Sequence, residues 1–219
     1  MKFRTLFFFT FLLAALLCVS SPTTQAQSTA GRAGFGFTAG GAKYWGEFAD
    51  NSLWFGGDIF FRYNPLPYLS LQAGVGLASV RYKITQDNYI GQYPAYFGPG
   101  AKVGDLYPGT NLAIEEKNNT RILTYEALAT INILPDERFV PYIFGGIGFM
   151  SFEPRAGESG GADRSLPNNR AGLYDKTGLI FPVGLGFEMY MTDNLAINGR
   201  GTFRFTGTGF LADFASNTE

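Results

Sequence analysis

The chain of 219 residues has no histidine and one cysteine, Cys18, which sits in its apolar leader. Without histidine, the general base that usually activates a serine or acid is missing, and no Gly-X-Ser-X-Gly elbow replaces it. With histidine and mature cysteine both absent, no metal-ligand cluster is expected. No disulfide is open to the mature chain in an oxidising compartment, so stability must come from packing and hydrogen bonds. Catalytic residues, cofactor-binding residues and metal ligands are therefore all expected to be none.

Long apolar runs are also scarce. The first stretch, MKFRTLFFFTFLLAALLCVSSPTTQAQ, places Lys2 and Arg4 before an apolar run from Leu6 to Val19. That run of about 14 residues is shorter than the roughly 20 a helix needs to cross a hydrocarbon core. It reads as a secretory signal peptide, with small residues at Thr24 and Ala26 for cleavage after Ala26. Leu17 before Cys18 argues against a lipoprotein signal. Residues 1–26 are the expected signal and 27–219 the mature domain. Mean hydropathy is +0.01, so hydropathy alone would mark the mature chain as soluble.

Charge is sparse as well. Losing Lys2 and Arg4 with the signal leaves 15 basic against 18 acidic residues, which does not suggest nucleic-acid binding. What the chain does have is 29 glycines, 16 % aromatics and 46 % apolar residues, against only 11 prolines. Such a composition excludes a disordered chain.

The apolar residues recur with period two, the signature of β-strands. In 195–206, Leu195, Ile197, Phe203 and Phe205 oppose Asn198, Arg200, Thr202 and Arg204. In 123–133, Leu123, Tyr125, Ala127, Ala129, Ile131 and Ile133 share a face; in 179–191, Leu179 to Met191 do the same. Residues 55–63 and 69–77 alternate likewise, and 33–45 fits a first strand with Phe35 and Phe37 outward. The segment FVPYIFGGIGFMSF, 139–152, is apolar on both faces, and a bulge at Gly145-Gly146 is open as the reason.

An oily face fits either a water-soluble sandwich, where it turns inward, or a membrane barrel, where it turns to lipid. The connections decide. Asn64–Pro67, Pro135–Arg138 and Thr192–Asn194 are short, whereas 46–52, 83–118, 153–176 and the segment from Gly207 are long. Strict alternation of short turns and long loops is the mark of an outer-membrane barrel, with the long loops outside. The expected fold is all-β: an antiparallel up-and-down transmembrane β-barrel of the eight-stranded type, with seven strands present and the last truncated beyond Glu219. Gly34–Gly40, though glycine-rich, lies within a strand pattern with no following helix, so it is barrel wall and not a nucleotide loop.

Several segments carry a resemblance: GGAKYWGEF, FRYNPLPYLSLQAGVGLASVRY, PYIFGGIGF, FPVGLGFEMYMTDNLAINGRGTFRFT and FLADF. From about Gly31 onward the chain resembles the outer-membrane β-barrel domain family, the OmpA-like and opacity-type barrels. The resemblance implies location in the bacterial outer membrane, with outer-membrane lipid and the barrel-assembly machinery as partners. The family holds both stand-alone barrels and barrels followed by a peptidoglycan-binding domain.

With oily faces outward, the lumen receives Asp58, Arg62, Glu126, Glu188, Arg200 and Arg204, whose charges cancel. A barrel of eight strands is just wide enough for side chains to fill. Paired, these residues would form a structural charge network and a largely plugged lumen; the alternative is a small pore, helped by inward Gly34, Gly36, Gly74, Gly76, Gly184 and Gly186. The register across Thr192–Asn194 that keeps the faces in step is expected to set Glu188 opposite Arg200. In the second long loop, Tyr89, Tyr93, Tyr96, Phe97 and Tyr107 either pack over the barrel mouth or contact a partner protein of the envelope or cell surface.

Overall fold

The structure, a computed structural model, describes residues 30–45, 53–85, 89–157, 164–208 and 210–213. The expected signal peptide and eighth strand lie outside the described residues. Seven strands form one sheet: β1 (Ala33–Ala42), β2 (Trp54–Leu66), β3 (Leu69–Lys83), β4 (Lys117–Asn132), β5 (Phe139–Ala156), β6 (Thr177–Thr192) and β7 (Leu195–Thr206). Their order is sequential, and every neighbouring pair is antiparallel. The sheet is thus an up-and-down barrel wall. Its two edges approach each other, since the Arg32 guanidinium donates to the Asp193 carbonyl at 3.0 Å and Trp45 meets Phe203 edge-on at 5.8 Å.

The oily faces are outside. Phe35 is 88 % exposed, Ile59 68 %, Leu185 68 % and Phe205 61 %, an arrangement that water would punish and lipid rewards. On β4 the alternation is regular, with Tyr125 and Ile131 exposed and Thr124, Leu128 and Thr130 buried.

The two-faced segment 139–152 keeps one register against both neighbours; its pairing with β6 lapses at Gly146 and Ile147 but resumes without a shift, so the bulge considered at Gly145-Gly146 does not switch its faces. Its inward face is apolar because aromatic rings sit over glycines. Tyr142 lies opposite Gly186 and Phe144 opposite Gly184. A Cβ on Gly186 would come within 2.6 Å of the Tyr142 ring, and one on Gly184 within 2.5 Å of the Phe144 ring. Likewise a Cβ on Gly36 would fall 2.3 Å from Phe60. Of the six inward glycines, Gly36, Gly184 and Gly186 are thus notches that receive rings, whereas a Cβ on Gly34 would meet nothing within 4 Å.

Gly184→Ala is expected to destabilise the folded barrel by about 1–3 kcal/mol, because its Cβ would also fall 2.1 Å from the rigid Gly201 carbonyl oxygen. Urea unfolding of the protein in micelles, followed by tryptophan fluorescence, measures the loss.

Three strands outrun the apolar pattern. β3 continues to Lys83, β4 starts at Lys117 and β5 reaches Ala156, while β1 stops at Ala42, short of Trp45. At the outer ends the outward positions become Ser79, Arg121 and Glu153, so hydropathic alternation ends where backbone pairing does not.

Candidate functional site

The lumen is built by the even-numbered side chains of β1 to β7, which strand geometry turns away from the oily face. The six charged residues named from the sequence meet there as three ion pairs, each joining strands far apart in the chain. Arg62 of β2 pairs with Glu188 of β6, Arg200 of β7 with Asp58 of β2, and Arg204 of β7 with Glu126 of β4. The first two pairs are about nine-tenths buried, whereas the Arg204 side chain is 36 % exposed.

Neutral groups add hydrogen bonds to the first two pairs, while among the described residues Asp58 Oδ1 and Arg62 Nε are buried without one. The Arg62 guanidinium also donates to Gln72 Oε1 at 3.0 Å. Glu188 accepts from Asn198 Nδ2 at 3.2 Å and from the Tyr190 hydroxyl at 3.3 Å, while the Tyr142 hydroxyl donates to Asn198 Oδ1 at 3.0 Å. Asp58 accepts from the Thr38 hydroxyl at 2.8 Å. Phe60 stands between the two sets, its ring 5.4 Å from the Arg62 guanidinium and 5.9 Å from that of Arg200. Buried charges are tolerable only when paired and hydrogen-bonded in this way.

The expected Glu188–Arg200 contact is not made. A register shift between Tyr190 and Thr192 tightens the last short turn, so Glu188 lies opposite Asn198 and Arg200 opposite Gly186. Both charges still face inward, because the slip is by an even number of positions.

Towards the outer end the lumen turns apolar. Met150, Phe152, Ile180 and Leu211 form a buried cluster, with Tyr44, Ile122, Tyr174 and Phe210 packed against it. Above it a second cluster gathers Tyr82, Ile84, Phe97, Tyr107, Ile114 and Leu166. The loop aromatics belong to this cap: Phe97 and Tyr107 are each 1 % exposed, and Tyr89, Tyr93 and Tyr96 pack on them partly buried. Tyr93 precedes a short helix, α1 (Pro94–Phe97), which Pro94 starts without an N–H to satisfy.

One residue that sequence reasoning missed ties the cap together. Asp213 follows a 3-10 turn at Phe210–Ala212, is fully buried, and has a positive φ of 72°. Its carboxylate accepts from the Tyr96 hydroxyl at 2.6 Å, the Tyr174 hydroxyl at 2.6 Å, and the backbone N–H groups of Asn168 (3.0 Å) and Asn169 (2.7 Å). The two amides open a second short helix, α2 (Pro167–Ala171), so one carboxylate joins two long loops to the segment after β7. Burial pushes the Asp213 carboxyl above its ordinary range, partly opposed by the four hydrogen bonds it accepts. Burial also raises the phenols of Tyr96 and Tyr174, which stay protonated donors. The only sequence signal was a lone acid inside the apolar FLADF stretch.

Chemically, the arrangement holds side chains in place. Among the described residues no group of three or more His, Cys, Asp or Glu residues is arranged to hold a metal ion.

No curated protein and no solved structure matches the chain. The sequence model for the outer membrane protein beta-barrel domain matches residues 11–210, nearly the whole of the described wall and cap. On that match, and on the up-and-down wall with its oily outer face, the chain belongs to the outer membrane protein beta-barrel domain family, a family of the bacterial outer membrane.

Proposed function

We propose that this barrel is a structural or surface-contact element of the envelope, with a lumen closed to solute flow, and that it is not an enzyme. The observation that carries the reading is the filled interior: two nine-tenths-buried ion pairs, rings seated on inward glycines, and an apolar stopper beneath a packed cap. An aqueous channel would need charged walls facing open water; here the charges spend themselves on one another. The absence of histidine supports the non-enzymatic reading. Because Phe97 and Tyr107 are buried in the cap, a protein partner of the envelope would meet the cap's outer surface and not those rings. Outer-membrane lipid and the barrel-assembly machinery are the other partners this reading requires.

A small pore is the competing function, favoured by the exposure of Arg204 and by the open space around Gly34, where a Cβ would meet nothing within 4 Å. Planar-bilayer recording of the folded protein separates the two. The closed-lumen reading expects no steady single-channel openings; reproducible openings of fixed conductance would replace it with the pore.

A further inference from the structure

The wall has two edges, and among the described residues each has a single neighbour. β1 pairs with β2 and β7 with β6, so alternate residues of both edge strands turn N–H and C=O groups into the seam between them with no strand to receive them. Lipid tails offer such groups no partner, and in hydrocarbon they must be paired. Phe35 and Phe37 on β1 are the two most exposed large apolar side chains among the described residues, more so than Tyr125 or Ile131 in mid-wall. On the lumen side of β1, a Cβ on Gly34 or Gly40 would meet nothing within 4 Å. Asp58, whose ion pair with Arg200 joins β2 to β7 past β1, keeps its Oδ1 buried and without a hydrogen bond among the described residues.

The width of the seam fits one strand. Long side chains span it, Arg32 to the Asp193 carbonyl and Trp45 to Phe203, where the backbones do not pair. Two strand spacings, about 10 Å, make such a span. The segment after β7 does not enter it. Thr120 of β4 donates to the Leu211 carbonyl at 2.6 Å and Tyr82 of β3 to the Ala212 carbonyl at 3.4 Å, so Phe210–Asp213 is carried across the mouth to the opposite wall. Because every neighbouring pair is antiparallel, β1 and β7 both run towards the long loops. A strand antiparallel to both must run the other way.

We propose that the seam is a strand-acceptor site, which binds one extended segment of another polypeptide, about ten residues long, running from the long loops towards the short turns. The outward side chains of that segment are apolar and pack beside Phe35, Phe37, Phe203 and Phe205. Its inward ones are small hydrogen-bond donors, which fill the space beside Gly34 and Gly40 and reach Asp58. Direction selects this occupant. A second copy of the chain inserted in the same sense offers edges that run as β1 and β7 do, and these would pair in the less stable parallel manner. An acyl chain carries no group that could pair with the backbone. Addition of a strand to a free sheet edge is a general mode of peptide recognition. The site does not depend on whether the lumen conducts.

Cysteine cross-linking of the full folded chain in dodecyl maltoside, with Cys18 replaced, tests the site. The probe is a synthetic peptide of about 12 residues that alternates leucine with threonine and carries one central cysteine in place of a leucine. Phe37→Cys on β1 and Ile197→Cys on β7 lie between the two side-chain bridges of the seam. Both are expected to link to the peptide roughly tenfold faster than Ile147→Cys, an outward position on β5 of similar exposure to Ile197. A peptide of the same composition with its leucines and threonines in separate blocks should lose that advantage. Heat-modifiable migration confirms that each variant folds. Equal rates at all three positions, linkage to one edge alone, or an equal rate for the block peptide overturns the proposal. Disulfide-linked dimers of Phe37→Cys or Ile197→Cys formed in place of peptide adducts would assign the seam to a second copy and overturn it as well.

Discussion

Replacing Glu188 with Leu is expected to cost the barrel about 3–5 kcal/mol, because it strands the Arg62 guanidinium in a nine-tenths-buried position. The loss extends past the ion pair. Asn198 and Tyr190 also donate to this carboxylate, so their donors lose their acceptor in the same step. Arg62→Met should cost a similar amount from the other side, leaving Gln72 without the donor at 3.0 Å. Combining the two as Arg62→Met/Glu188→Leu should recover most of the stability, since replacing a buried pair with apolar groups is often neutral or better. Urea unfolding in micelles reads all three variants. Single variants within about 0.5 kcal/mol of the parent would show that the pair lies in contact with water and that the interior is not closed around it.

Asp213→Ala is expected to loosen the cap while sparing the wall. The substitution leaves two phenols and two backbone N–H groups without their acceptor, and each buried orphan costs about 1–3 kcal/mol. The cap's apolar cluster remains, but the polar tie between its loops and the segment after β7 is lost. Protease cleavage in 89–116 and 164–176 should therefore accelerate by an order of magnitude or more. Heat-modifiable migration should persist, because the strand hydrogen bonds are untouched. Asp213→Asn should fall between the two, since it keeps the left-handed backbone that asparagine accepts but places donors where acceptors are needed. Unchanged cleavage in Asp213→Ala would mean that the loops are held by their apolar packing alone.

The wall was legible because lipid on one side and side-chain packing on the other impose period two, and Leu123 to Ile133 carries that period without interruption. The alternation of short and long connections then chose between sandwich and barrel. The register at the last turn was not legible. Setting Glu188 opposite Asn198 or opposite Arg200 places the same side chains on the same faces, so hydropathy is blind to the choice, and only the backbone of the turn at Thr192–Leu195 decides.

Ion-pair partners were hidden for a related reason. Arg62 and Glu188 are 126 residues apart and meet through the curvature of the wall, which no local pattern encodes. The face of Phe139–Phe152 was ambiguous because its inward residues, Tyr142 and Phe144, are as oily as its outward ones; they are admitted by Gly186 and Gly184 on the next strand. Asp213 was invisible as a keystone because its importance comes from the convergence of loops that are distant in sequence.

In a closed barrel β4 has lipid on one side and a dry, filled interior on the other. Spin labels on single cysteines along the strand, in the folded protein with Cys18 replaced and reconstituted in bilayers, test it directly. Labels at Leu123, Tyr125, Ala127, Ala129 and Ile131 should collide with oxygen dissolved in lipid, while labels at Thr124, Leu128 and Thr130 should be shielded from both oxygen and a water-soluble nickel chelate. Collision of the chelate with the even-numbered positions, or shielding of the odd-numbered ones from oxygen, would contradict the account.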